Sequence, residues 1–134
     1  MLGSAKFITL EAAKKMVAAG EAEARKNGWN VAITIVDANG DLIMFQKLDE
    51  TQPGSIAISQ GKARTAARFK RPTKALEDLI AGGKTAFLAV DGVVPLQGGV
   101  PVVVDGKVIG AVGVSGVTSA QDEQIAAAAI AVLS

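Results

Sequence analysis

The 134-residue chain contains no cysteine, no histidine and no tyrosine. Without cysteine it can form no disulfide, no thiolate nucleophile and no cysteine-ligated metal site. Without histidine it lacks the commonest general base and the commonest metal ligand. The sequence therefore predicts no metal site.

The chain also has little net charge and no long apolar run. Its 14 Lys and Arg side chains nearly balance 13 Asp and Glu side chains, so charge gives no reason to expect nucleic acid or an anionic membrane as a partner. No stretch reaches the roughly 18 uninterrupted apolar residues of a membrane helix, and the N-terminus lacks the basic and apolar regions of a signal peptide. We therefore expect a cytoplasmic protein with neither a membrane nor nucleic acid as its partner.

What is present indicates one globular domain. Apolar residues make up 49% of the chain, and a chain of this length buries about two thirds of the surface that it exposes when unfolded. The first helical pattern starts at Thr9. Residues 1–8 are therefore predicted to be an N-terminal extension, and residues 9–134 a single domain.

The clearest local signal is a β-hairpin around Asp105-Gly106. This dipeptide lies between apolar runs and favours a type I′ turn, because both central residues of that turn need a positive φ. The run Val102–Val104 is continuously apolar, which is typical of a strand buried on both faces. Gly110, Gly113 and Gly116 in the second strand allow another group to approach the backbone closely. The hairpin is predicted to form the centre of the sheet and the edge of a site.

Local patterns assign the remaining elements. Helical periodicity predicts helices, and β-branched runs bounded by turn residues predict strands. The predicted helices are Thr9–Lys26, Ser55–Phe69, Lys74–Ile80 and Ala120–Leu133, and the predicted strands outside the hairpin are Val31–Val36, Leu42–Phe45 and Phe87–Val90. The order is helix-strand-strand-helix-helix-strand-strand-strand-helix. Antiparallel hairpins without regular β-α-β alternation indicate an α+β fold.

The helix ends carry recognisable signals. Thr9 is predicted to cap the first helix and Asn27-Gly28 to end it. Leu10 is expected in the buried stripe of that helix. Ser55 and Ser119 are predicted to cap the second and the last helix. Because the last helix is apolar on all sides, we expect it to be buried in a subunit interface.

The basic residues are concentrated in one stretch that contains no acid before Glu77. Arg64, Arg68 and Arg71 have the i, i+4, i+7 spacing of one helix face. One interpretation is an anion site, since guanidinium groups pair bidentately with carboxylates. The other is a solvated face that is neutralised by nearby acids or by a subunit neighbour. Nucleic acid is not expected, because the cluster is short and lacks interleaved aromatic residues.

The stretch Asp91–Pro101 is too rich in glycine and proline to be regular. Gly98-Gly99 beside prolines indicates a rigid loop whose backbone is able to meet a ligand. The stretch lacks the helix start and the lysine of a phosphate-binding P-loop. The glycines of the hairpin have the wrong spacing for a dinucleotide fingerprint, so nucleotide binding is not predicted.

Six short motifs, in order along Thr9–Val132, together resemble the family that includes the GlcG and HbpS proteins and the C-terminal domain of PduO. The motifs are Val36–Leu42, Leu48-Asp49, Lys62–Ala66, Pro95–Pro101, Gly110–Gly116 and Asp122-Glu123. The resemblance implies an α+β fold with a five-stranded antiparallel sheet flanked by helices, assembled into homo-oligomers. It also implies a link to haem binding in some members, and to corrinoid or glycolate metabolism in others.

The resemblance makes haem a candidate cofactor, but the cofactor is not assigned. Haem-binding members are expected to hold the iron with histidine, which this chain lacks. Here the haem propionates would bind Arg64, Arg68 or Lys62. Met44, Met16 or a water would serve as a weaker axial ligand. Histidine-ligated haem is therefore not carried over to this chain.

Two classes of function follow. The first is an oligomeric accessory protein of small-molecule catabolism, which binds an anionic or tetrapyrrole-like ligand in a pocket near the subunit interface. The residues predicted to bind the ligand are Lys62, Arg64, Thr65, Arg68, Gly98, Gly99, Ser115 and Gly116.

The second class is a cofactor-independent enzyme with isomerase or lyase chemistry on a small organic acid or carbonyl compound. Asp49, Asp122 or Glu123 would be the acid/base, since partial burial raises a carboxyl pKa into a useful range. Backbone amides of Gly98, Gly99 or Gly116 would stabilise an oxyanion. A structural interpretation competes with each role: Asp122 and Glu123 also suit a helix start. Ser115 has no histidine partner and would need Lys62 as its base.

Overall fold

The computed structural model describes all 134 residues. It contains four α-helices, four strands and one 3₁₀ helix. In chain order these are α1 (Leu10–Asn27), β1 (Ala32–Asp37), β2 (Leu42–Lys47), α2 (Ser55–Phe69), α3 (Thr73–Ala81), the 3₁₀ helix (Thr85–Ala89), β3 (Gly99–Val104), β4 (Lys107–Ser115) and α4 (Ser119–Ala131). None of the α-helices combines the length and the apolar content that a bilayer-spanning segment requires.

The strands form one antiparallel sheet in the order β2-β1-β4-β3, with helices on both faces. Alternate residues of β1 point to opposite sides of the sheet. Ile33 and Ile35 belong to the larger core, which α1 and α4 cover. Val36 belongs to a smaller core that contains the alanines of α2. The two central strands, β1 and β4, are therefore buried on both faces.

The predicted fifth strand is wrong. Phe87–Val90 falls in the 3₁₀ helix Thr85–Ala89 and the residue after it. Turn bonds inside this segment replace a strand partner, as where the Val90 N–H donates to the Phe87 carbonyl at 3.2 Å. The segment lies on the surface, and Leu88 is 64% exposed. The observed fold is therefore α+β with a four-stranded sheet.

The second predicted hairpin is present, but its two strands hold different positions in the sheet. Asp105 (φ 51°) and Gly106 (φ 76°) have the positive φ values that were predicted for the turn. β4 is central, whereas β3 is an edge strand and contains Pro101. Val103 is 57% exposed, so the prediction that Val102–Val104 is buried on both faces is wrong.

The helix boundaries follow the sequence closely, with three corrections. Thr9 accepts a bond from the Ala12 N–H at 3.0 Å, which confirms it as the cap of α1. Leu10 is 53% exposed, outside the buried stripe. Ser55 is the first residue of α2 rather than its cap. The cap of α4 is Thr118 rather than Ser119.

The last helix is buried along one side in the single chain. Its buried apolar residues are Ile125, Ala126 and Ala129, which belong to the larger core. Ala127 and Ala131 are exposed. The apolar sequence of α4 thus serves both the core and a free surface, and the sequence alone does not distinguish these two roles.

Candidate functional site

Helix α2 lies very close to β4, and this contact positions the basic residues. A Cβ on Gly113 would lie 2.2 Å from the Ser59 carbonyl oxygen, so only glycine fits there. The Ser59 hydroxyl donates to the Gly113 carbonyl at 2.8 Å and shares a bond with the Thr34 hydroxyl at 2.8 Å. The small side chains and paired hydroxyls let α2 approach the sheet without leaving a polar group unsatisfied.

One turn further along α2, Lys62 points into the protein. Its ammonium donates to the Val114 carbonyl at 2.9 Å and to a carboxylate oxygen of Asp122 at 3.0 Å. The Val117 N–H donates to the other carboxylate oxygen of Asp122 at 3.1 Å. Both charged side chains are only 3% exposed. The pair therefore joins α2, the end of β4 and the start of α4 in one buried network.

Burial governs the acidity of Asp122. Loss of hydration raises the pKa of this carboxyl, while the Lys62 charge and the Val117 N–H act in the opposite direction with smaller effect. A raised pKa suits an acid/base role. However, the pair is closed off from solvent in this structure, so a substrate does not reach it without movement of its surroundings.

The end of the glycine-rich loop rests directly on this pair. Gly98 has φ 133°, and a Cβ there would lie 2.7 Å from the Lys62 ammonium. The Gly99 N–H donates to the Thr73 hydroxyl at 2.9 Å. The Gly98 carbonyl accepts from the Val114 N–H at 3.0 Å. These contacts fix Gly98 and Gly99 as a structural part of the buried network.

The three arginines predicted to share a face bind three different parts of the chain. Arg64 donates to the Gly92 carbonyl at 3.1 Å. Arg68 donates to the Asn39 carbonyl in the β1–β2 turn at 2.9 Å. Arg71 follows the end of α2 and donates to the carbonyl of its near neighbour Phe69 at 3.0 Å.

The remaining predicted ligand-binding residues have partners inside the protein. The Thr65 hydroxyl accepts from the Val94 N–H at 2.9 Å, which holds the glycine-rich loop against α2. The Ser115 hydroxyl donates to the Ser55 hydroxyl at 3.1 Å. Gly116 has φ 150°, and a Cβ there would lie 2.4 Å from the Asn30 carbonyl oxygen.

Two of the three acid/base candidates are neighbours. Asp122 is buried and Glu123 is half-buried in the first turn of α4, where Glu123 accepts a hydrogen bond from the Gln97 side chain. Asp49 is exposed in the loop after β2. Sequence reasoning missed Gln97 and Thr73, both of which hold the glycine-rich loop. In the sequence, Gln97 is marked only by its place in the loop and Thr73 only by its place at a helix start. Neither signal predicts the contact with Glu123 or with Gly99.

The loop that Arg64 holds carries exposed apolar side chains. Leu88 is 64%, Val90 40% and Leu96 41% exposed, while Gly92 receives the Arg64 bond. Arg64 has no carboxylate within 4.0 Å. We call Arg64 with residues 88–96 the Arg64 surface. Besides Arg64, it carries these three exposed apolar side chains and the acidic side chain of Asp91.

The methionines considered as axial ligands do not suit a haem iron beside the Arg64 surface. Met16 is completely buried in the larger core. Met44 is half-buried on β2 and packs against that same core. With no histidine, cysteine or tyrosine in the chain, the other side chains that usually bind haem iron are missing. The residues present therefore do not fit an iron-ligated haem.

None of the cavities of the single chain is lined by a predicted site residue. The two larger cavities, of about 410 and 450 Å³, lie beneath the N-terminal residues. A smaller one of about 190 Å³ lies beside Trp29. The Arg64 surface is open in the single chain.

Comparison with known proteins defines the family. The family model described as "haem degrading protein HbpS-like" matches residues 8–131. The chain belongs to this HbpS-like family. The resemblance seen in the sequence motifs is thereby confirmed.

Relatives within this family agree in sequence and in fold. Protein GlcG of Escherichia coli K12 is 49% identical over 109 residues, which are 81% of each chain. A crystal structure of a double mutant of Streptomyces reticuli HbpS matches with a TM-score of 0.92 at 34% identity, covering 99% of this chain and 91% of that one. The crystal structure of a PduOC:heme complex matches with a TM-score of 0.85 at 29% identity, covering 94% of each chain.

Proposed function

We propose that the protein is a non-enzymatic accessory protein of small-molecule catabolism, which binds a carboxylate-bearing ligand at the Arg64 surface. The carrying observation is the guanidinium of Arg64, which donates to one backbone carbonyl and has no carboxylate partner. A guanidinium has five N–H donors, so the remaining donors are available to a ligand. Arg–carboxylate pairs are bidentate and stronger than neutral hydrogen bonds.

The exposed apolar residues of the loop that Arg64 contacts favour one kind of ligand. Leu88, Val90 and Leu96 are exposed, and they gain free energy when an apolar body covers them. A ligand with carboxylates on an apolar frame matches both features. Tetrapyrrole propionates are one such case, and the PduOC:heme complex of a relative supports testing them here. Since the chain does not fit an iron-ligated haem, binding through the carboxylates is expected.

A second subunit is part of the proposal. The Arg64 surface is open in the single chain, whereas binding pockets enclose most of their ligand. A homo-oligomer in which a neighbouring copy covers the exposed apolar residues would close the pocket near the subunit interface. Light scattering with size-exclusion chromatography tests this part: a strictly monomeric protein would contradict it.

The test of ligand binding is an absorbance titration with haemin and, in parallel, with metal-free protoporphyrin. Both carry the same propionates, so we expect saturable binding of both with similar affinity. Arg64→Ala should weaken both by about tenfold, which corresponds to about 1.4 kcal/mol. Arg71→Ala is the matched control, because Arg71 is exposed and bonds only to its near neighbour; it should change nothing.

Three outcomes decide the proposal. Arg64-dependent binding of both porphyrins, or displacement by small dicarboxylates, supports it. Binding of haemin alone points to iron ligation and contradicts it. Absence of saturable binding for porphyrins and for small organic acids also overturns it.

The second candidate function is acid–base catalysis on a small organic acid or carbonyl compound. It is favoured by one observation, the raised pKa of Asp122 beside Lys62 and next to Glu123. Hydrogen–deuterium exchange into small keto and hydroxy acids, followed by NMR, distinguishes the two candidates. Exchange that is lost in Asp122→Asn would favour the enzyme, and absence of exchange would favour the binding protein.

A further inference from the structure

The N-terminal residues lie across the β3–β4 hairpin as a strap (residues 4–8). Ile8 is 5% exposed and belongs to the larger core. Its Cδ1 lies 2.5 Å from the point that a Cβ on Gly110 would occupy, so the glycine makes room for it. Further out, the Lys6 ammonium pairs with Asp105 in the hairpin turn at 3.3 Å. The strap is thus anchored at one end in the core and at the other by an exposed ion pair.

Two cavities lie along this strap. One, of about 450 Å³, is apolar apart from Lys6 and lies between the strap, Ala12, Ile109 and Leu133. We call it the strap cavity. The other, of about 410 Å³, shares Lys6 and Ile109 with it and continues toward Lys107. Volumes of roughly 300–1,000 Å³ are typical of small-molecule sites.

The walls of the strap cavity continue the core. Ala12, Val104 and Ile109 are half-buried and pack against the larger core. An alkyl or aromatic group placed beside them would extend that core and remove apolar surface from water. Phe7 of the strap is 73% exposed. Its ring would be available to cover the apolar part of a ligand.

The charges at the cavities favour an anion. Lys6 is the one charged residue that lines the strap cavity. Lys107 lines the neighbouring cavity and has no carboxylate within 4.0 Å. Asp105 is the one acid that lines either cavity, and it pairs with Lys6. Because both side chains of that pair are more than 70% exposed, exchange of Asp105 for a ligand carboxylate costs little.

We propose that the strap cavity binds a monocarboxylate with an apolar tail, of the medium-chain fatty-acid class. The tail lies against Ala12 and Ile109, and the carboxylate pairs with Lys6. This site is separate from the Arg64 surface and takes a single anionic group on a flexible chain rather than a broad planar frame. The proposal for the strap cavity does not depend on the proposed function of the Arg64 surface.

The test uses the intact protein and anilinonaphthalene sulfonate, whose fluorescence rises in an apolar site, with dodecanoate as competitor. We expect saturable probe binding that dodecanoate displaces, with dodecanol at least tenfold weaker because it lacks the charge. Lys6→Glu should weaken dodecanoate by about tenfold or more. Ala12→Leu fills the cavity and should abolish probe binding.

A closely matched control is available on α1. Lys15 is 71% exposed and pairs with Glu11, just as Lys6 is 71% exposed and pairs with Asp105, but Lys15 lies outside the cavity. Lys15→Glu should leave dodecanoate binding unchanged. Circular dichroism of each variant checks that the fold is intact.

Three results would contradict the proposal for the strap cavity, each for a different reason. Equal loss in Lys6→Glu and Lys15→Glu would mean general charge attraction and would overturn the site. Dodecanol binding as tightly as dodecanoate would overturn the choice of an anion. A probe signal that disappears as protein concentration rises, with no displacement by dodecanoate, would show that a second copy covers this surface instead.

Discussion

The ammonium of Lys62 lies 3.0 Å from the carboxylate of Asp122 across 60 residues of sequence, and both side chains are 3% exposed. A buried ion pair is not in itself a source of stability, because removing two charges from water costs about as much as their attraction returns. Its arrangement matters more. Lys62 also holds the end of β4 through Val114, so three elements depend on one pair.

Breaking the Lys62–Asp122 pair should destabilise the folded protein. Asp122→Ala leaves the Lys62 ammonium buried without its partner, and we expect the free energy of unfolding to fall by about 3–5 kcal/mol. Urea unfolding measures it. Asp78→Ala is the control, because its exposed pair with Lys74 is worth under about 1 kcal/mol. Equal losses in the two variants would contradict the role of burial. The double variant Lys62→Met with Asp122→Leu should recover part of the loss.

Stability should also depend on pH through Asp122. Its pKa in the folded protein is raised above the ordinary value of 3.8, so the folded state binds the proton more tightly than the unfolded state. The stability that protonation supplies is complete below the unfolded pKa and is lost as pH rises through the folded pKa.

The reference for this pH effect is Asp122→Asn, which does not titrate at this position. The free energy of unfolding of the natural protein, relative to this variant, should decrease as pH rises from about 4 toward neutrality. A urea series at several pH values measures the difference. An increase over the same range would mean that the Lys62 charge outweighs burial.

The contact of α2 with the sheet should tolerate no side chain at position 113. Gly113→Ala places a Cβ 2.2 Å from the Ser59 carbonyl oxygen, and the helix must move away. We expect a loss of about 1–3 kcal/mol or more. Gly3→Ala is the control, since nothing lies within 4 Å of its Cβ and it lies outside every helix and strand; its effect should stay within about 0.5 kcal/mol. Thermal or urea unfolding of the two variants tests the contrast.

The start of α4 depends on Thr118. Its hydroxyl accepts from the Gln121 N–H and the Gln121 side chain accepts from the Thr118 N–H, which is a complete capping box. Thr118→Ala should cost about 1 kcal/mol. Ser119→Ala, one residue on, should cost less than half of that in the same urea assay. A larger loss in Ser119→Ala than in Thr118→Ala would mean that Ser119, the cap predicted from the sequence, caps α4.

Local signals predicted most of the fold. The Asp105-Gly106 turn and the boundaries of α1 and α2 depend on residues close in sequence, and the structure confirms them. The predicted strand at Phe87–Val90 failed because strand formation depends on a partner elsewhere. The segment forms a 3₁₀ helix instead, and a short apolar run does not by itself distinguish a strand from a short helix.

Less of the candidate site could be predicted from the sequence. The basic stretch was recognised, but the directions of its side chains depend on distant backbone. Lys62 turns inward to residues more than 50 positions away, whereas Arg64 and Arg68 turn outward to two separate loops. Helical spacing predicts which residues share a helix face. It does not predict which other parts of the protein pack against that face.

Because of Pro101, the two edges of the sheet differ in the backbone donors that they offer. Pro101 lies on β3, the outermost strand on one side, and proline has no backbone N–H to offer. An incoming strand therefore meets an interrupted row of donors there, as in natural sheets that resist edge-to-edge polymerisation. β2, at the opposite margin, has no proline. If copies of this chain join by continuing their sheets, β2 is therefore the favoured edge.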